Sequence, residues 1–120
     1  MSRVANDEMG DLVCNKTPFT NNNGTCYGEW RGSLYAVFSY GEHWPLFVYD
    51  SRTAQWFENQ GKYSSTTSRH RTHCARRLFR TVLMNKVDLM DIMYYGGYTQ
   101  FVAKKLRRSK STNTFEEARP

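Results

Sequence analysis

Residues 33–40 read Ser-Leu-Tyr-Ala-Val-Phe-Ser-Tyr, and this run constrains the fold more than any other stretch of the chain. Aromatic and β-branched residues suit a pleated strand. Side chains alternate between the faces of a strand, so Leu34, Ala36, Phe38 and Tyr40 share one face, and Tyr35, Val37 and Ser39 the other. Both sets are largely apolar, which places the strand in the middle of a sheet. Pro45 can open the next strand, where its missing N–H costs least, and Leu46, Phe47, Val48 and Tyr49 continue it. Asp50-Ser51-Arg52-Thr53 reads as a turn, because Asp and Ser bond their own backbone there. Residues 54–58, around Trp56 and Phe57, form a third strand, and residues 26–30 a short edge strand. Asn21-Asn22-Asn23-Gly24 marks a turn in an otherwise polar N-terminal stretch. With connections this short, an antiparallel meander is the simplest topology.

After Gly61 the period changes. Ala75, Leu78, Phe79, Val82 and Leu83 recur at helical spacing, which predicts an amphipathic helix over residues 68–85. Asp88 can cap a second helix that Gly96-Gly97 stops. Thr99 can cap a third, with Phe101, Val102 and Leu106 inward. The expected class is α+β: a small antiparallel sheet (residues 26–60), then two or three C-terminal helices (residues 66–108) packed on one of its faces. That is one domain over residues 1–108, with a flexible tail over 109–120. Hydrophobic residues make up 39% of the 120-residue chain, enough for a core at this size.

Charge divides the chain. Residues 1–60 carry four Lys or Arg against seven acids, and residues 61–120 carry thirteen against four, for net charges of −3 and +9. A pI near 9.4 favours anionic partners. The predicted first helix places Arg69, His73, Arg76, Arg77 and Arg80 on a basic stripe without balancing acids one turn away, and Arg71 joins its arginines as a candidate phosphate contact. Like charges at that spacing repel by a few tenths of a kcal/mol per pair, which favours a partner: nucleic acid, or an acidic patch of a nucleic-acid-handling protein. Lys104, Lys105, Arg107 and Arg108 form a second basic group. Ser65, Thr66, Thr67 and Ser68 precede the stripe. They read most simply as the helix N-cap, and alternatively as an anion site beside Arg69 and Arg71. The spacing matches no P-loop.

Other chemistry finds less support. His70 and Cys74 lie four apart, with Cys26 or Cys14 as further thiols, but the spacing lacks the tight pairs of structural zinc sites. No metal or other cofactor is expected. Cys74 with His70, or a serine with His43 and Asp50, would have to converge in space without any local signature, so an enzyme is not expected. Tyr40, Trp44 and Trp56 are candidate anchors for a protein partner. Three cysteines without a C-x-x-C pair suit a reducing cytosol. Neither a signal peptide nor a membrane span is expected, and self-association is compatible with the composition.

The string from Ser33 through Tyr40, Trp44, Pro45 and Asp50, then Trp56-Phe57, then Lys62-Tyr63 through His70, resembles a small domain of uncharacterised accessory proteins in tailed bacteriophages. The match runs over roughly residues 33–74. The resemblance implies a phage-encoded protein acting in the host bacterial cytoplasm, in host takeover or counter-defence. With the basic stripe, the expectation is a non-enzymatic accessory protein that binds nucleic acid or a nucleoprotein. The alternative is a protein-binding inhibitor of a host enzyme or defence complex that uses aromatic and Arg anchors.

Overall fold

The computed structural model describes the backbone of residues 2–117 and the side chains of residues 3–107. In chain order the elements are β1 (Ser2–Val4), a 3-10 turn (Asn6–Glu8), α1 (Met9–Cys14), β2 (Phe19–Asn21), β3 (Cys26–Arg31), β4 (Leu34–Ser39), β5 (Pro45–Asp50), β6 (Gln55–Asn59), α2 (Ser65–Ala75), β7 (Val82–Met84), α3 (Lys86–Tyr95) and α4 (Tyr98–Glu117). The seven strands lie side by side in that order. β2 to β6 form an antiparallel meander. The outermost pairs, β1 with β2 and β6 with β7, are parallel. Parallel neighbours need a crossover connection, and α1 and α2 are those crossovers.

β4 is the fourth of the seven strands, and all six of its residues are buried, as its two apolar faces require. Tyr35 and Val37 point into one core cluster with Phe19, Phe47, Met9, Val13 and Cys74. Leu34, Ala36 and Phe38 point into another with Val48, Phe57, Leu89, Ile92 and Phe101. α1 and α2 therefore cover the first face, and α3 and α4 the second. A register shift after Val37 sets Phe38 opposite Pro45 and leaves Leu46 as an extra residue in β5. Leu46 joins Phe47 in the first cluster because a bulge breaks the alternation.

The α+β class holds, with corrections to its layout. The helices cover both faces of the sheet, not one. The sheet reaches beyond residues 26–60, because β1, β2 and β7 extend it at either side. β3 is an interior strand between β2 and β4, not an edge. The helix expected over 68–85 stops at Ala75, and Val82 to Met84 instead pair with Phe57 to Asn59.

Helix ends differ from expectation in detail. Asn85 caps α3 by accepting from the Asp88 N–H at 2.8 Å, and Gly96 ends it at φ 82°, a left-handed conformation that favours glycine. For α4 the acceptor is Asp50 Oδ2, which receives the Tyr98 N–H at 2.8 Å. The α4 backbone runs to Glu117. The tail expected over 109–120 lies, in its side chains and in residues 118–120, outside the described residues. Among the described residues no helix is long and apolar enough to cross a membrane.

Candidate functional site

α2 begins at the hydroxyl run. The cap is Ser64, whose Oγ accepts from the Thr67 N–H at 3.1 Å. Of the four residues read as the cap, Ser65, Thr66 and Ser68 are exposed and Thr67 is buried. Thr67, His70 and Cys74, at helical spacing, form the inward side of α2. The outward side carries Ser65, Thr66, Ser68, Arg69, Thr72 and Arg76. Hydroxyls and arginines thus line the exposed flank of this helix.

The inward side holds a chain of polar groups. Ser39 Oγ lies 3.0 Å from Thr67 Oγ1 and 2.8 Å from His70 Nδ1. His70 Nε2 lies 3.4 Å from Thr25 Oγ1. Asn21 donates to Thr25 Oγ1 and to Asn6 Oδ1, each at 3.0 Å. Each ring nitrogen of His70 therefore meets a hydroxyl, a group that can donate or accept. Burial, reinforced by His73, lowers the His70 pKa below its ordinary value.

Ser39 and His70 have the spacing of a nucleophile and its base, but both are buried, and a threonine stands where a carboxylate would orient the imidazole. Substrate has no path to Ser39 Oγ in this arrangement. Both imidazole nitrogens of His70 face hydroxyls, so His70 and Cys74 do not converge as ligands. Cys74 instead lies with Cys26, Sγ to Sγ 3.9 Å. That contact, followed by burial, raises the Cys74 pKa. Among the described residues no three His, Cys, Asp or Glu side chains gather where an ion would sit.

The arginines separate into two kinds. Arg71 donates through Nε to Glu58 Oε2 at 2.5 Å, and Thr81 donates to Glu58 Oε1 at 2.6 Å. Glu58 therefore ties α2 and the chain entering β7 to β6. Arg77 pairs with Asp11 of α1. Arg69, Arg76 and Arg80 are exposed and meet no carboxylate among the described residues. On α4, Lys105 pairs with Asp88 at 3.3 Å, Lys104 and Arg107 are exposed, and the side chain of Arg108 lies outside the described residues. α2 and α4 cover opposite faces of the sheet, so the two basic groups do not form one surface.

Two concavities meet at the Glu58–Arg71 pair. One, about 540 Å³, is bounded by Lys62, Ser68, Thr72 and Arg76. The other, about 690 Å³, is bounded by Arg80, Phe79 and Leu83. Together they form an open trough from the flank of α2 to the edge strand β7. Phe79, expected in the core, is fully exposed at 100%, because the helix that would have turned it inward ends four residues earlier. A separate cleft of about 440 Å³ lies by α3 and contains Arg31. That arginine is already held by Glu29 and Glu42 and stacks on Phe38, so the cleft offers no free cationic charge of that kind.

The aromatic candidates are scattered. Trp56 is packed against Tyr35, Phe47 and Tyr49 inside the first cluster. Trp44 is half-buried and stacks with Tyr63, ring centroids 4.9 Å apart. Tyr40 is exposed, at φ 59°, beside the His70 ring. No common patch joins these three. Phe79 went unrecognised as a surface residue, and its flanking arginines were the available signal.

The Glu58 junction gives a first prediction. Glu58→Ala removes the shared acceptor of Arg71 and Thr81. A lost charge-assisted bond and a stranded donor should together lower stability by about 2 kcal/mol. Urea unfolding checks this, and Arg77→Ala, which breaks only a surface pair, should change it by less than about 1 kcal/mol.

No protein-family model matches the chain, and no curated protein or solved structure matches it.

Proposed function

We propose that this is a non-enzymatic accessory protein that binds nucleic acid through the trough between α2 and β7. One observation carries the reading. Arg76 and Arg80 are exposed without acidic partners among the described residues along a trough that also holds Lys62 and the α2 hydroxyls of Ser68 and Thr72, and Arg69 is exposed on the same helix. Mutual repulsion among such cations is relieved when they neutralise phosphates, which releases the cations condensed on the nucleic acid. Glu58, the carboxylate that lines both concavities, is already paired with Arg71 and presents little repulsion to a phosphate. Arg71 and Arg77 act as positioning residues in this scheme, and the α4 cations stand apart from the site. Bacteriophage origin and action in the host cytoplasm rest on the sequence resemblance alone.

Binding should be steeply salt-dependent. With labelled single- and double-stranded oligonucleotides, log K should fall linearly with log salt, and Arg76→Ala and Arg80→Ala should each reduce the slope by about one. A flat salt response, or no binding to any DNA or RNA, overturns the reading.

A further inference from the structure

We infer that the trough takes a single strand, with Phe79 stacking on a base while Arg76 and Arg80 hold the flanking phosphates. This rests on the nucleic-acid reading of the same surface. The argument starts from Phe79. A fully exposed phenylalanine packs on nothing of its own chain, so its ring is free on both faces. It lies between Arg76-Arg77 and Arg80 in the irregular segment joining α2 to β7. Its neighbour Leu78 is half-buried against the first core cluster and anchors the segment from beneath. The ring is thus presented at the trough by a tethered loop with cations on either side.

That composition fits one ligand class better than its rivals. Base faces in a duplex are covered by their neighbours, and a ring at the rim of a groove finds nothing to stack on. In a single strand the bases are free to splay onto an aromatic side chain while the backbone follows the cations. Leu83, 56% exposed and lining the same concavity, adds apolar floor that a ribose or base can cover and a phosphate cannot use. An acidic peptide would satisfy the arginines but has no regular planar group for Phe79.

The experiment uses the full chain and a fluorescein-labelled oligothymidylate of about fifteen nucleotides, a length that fills a typical single-strand site. A hairpin duplex of equal charge and a poly-glutamate peptide serve as rivals. Phe79→Ala should weaken binding of the oligothymidylate about tenfold and leave its salt slope unchanged, whereas Phe79→Trp should restore or tighten it. Circular dichroism should show all variants folded, since the ring has no internal contacts to lose. If Phe79→Ala changes nothing while Arg76→Ala and Arg80→Ala still weaken binding, the stacking inference is wrong and the nucleic-acid reading stands. Tighter binding of the hairpin than of the single strand also overturns the inference. If poly-glutamate binds as well as the oligonucleotide, both readings fail.

Discussion

Gly28→Val should lower stability by about 3 kcal/mol, with Gly28→Ala intermediate. Gly28 lies in β3, and its missing side chain is what the first core cluster is built around. A Cβ placed there would lie 2.4 Å from the Tyr35 hydroxyl oxygen and 2.7 Å from Phe19 Cε1. Neither ring can step aside. Both are fully buried, and Tyr35 is wedged between Trp30 and Trp56, with centroids 5.5 and 6.2 Å away. Its hydroxyl also donates to the Thr17 carbonyl at 2.7 Å, a bond that fixes the loop leading into β2. Moving Tyr35 therefore costs packing and strands a buried hydroxyl at once. Equilibrium urea unfolding gives the measurement. A Val variant within about 0.5 kcal/mol of the parent, the range of an inert surface change, would mean that the ring is free to relocate.

The same residues show why the sheet was only half legible. β4 declared itself, because an alternation that is apolar on both faces demands a central place, and that demand implies cover on both sides. Reading all helices onto one face ignored this consequence. β1, β2 and β7 were invisible for a different reason. Each is three residues long, too short for periodicity, and the outer two pair in parallel through helical crossovers that no local turn signal announces.

Phe79 shows how helical spacing misleads. Ala75, Leu78, Phe79, Val82 and Leu83 fit one face of a helix continuing past Ala75. Tertiary pairing prevails instead: β7 lies against β6, and Val82 and Met84 pack on the second core cluster. Thr81 and Val82 are β-branched and favour the extended state at the switch. The charge asymmetry in the sequence drew attention to the arginines of residues 69–80, but it could not say which of them were spent internally. Arg71 and Arg77 have partners at Glu58 and Asp11, residues distant in sequence. Only the fold reveals that Arg69, Arg76 and Arg80 remain.

His70 carries the second large prediction. Its ring is buried against the hydroxyls of Ser39 in β4 and Thr25 in the loop before β3, so His70→Ala should cost about 3 kcal/mol through a cavity and lost hydrogen bonds. Its titration adds a pH dependence whose sign follows from the lowered pKa. Above the ordinary value of 6.5, the folded and unfolded chains both hold His70 neutral, and its contribution to stability is complete. As pH falls through 6.5, the unfolded chain takes up a proton that the folded chain resists. Stability then declines, by at most about 1.4 kcal/mol per pH unit from this group, until the folded value is reached. The groups facing the ring are the hydroxyls of Ser39 and Thr25, the Tyr40 ring and, on its own helix, His73. None of these is an anion that would hold an imidazolium in place. His70→Gln should therefore flatten the decline between pH 6.5 and the folded value. Urea midpoints across that range decide the matter. Equal slopes in the parent and His70→Gln would show that the buried histidine is not the source.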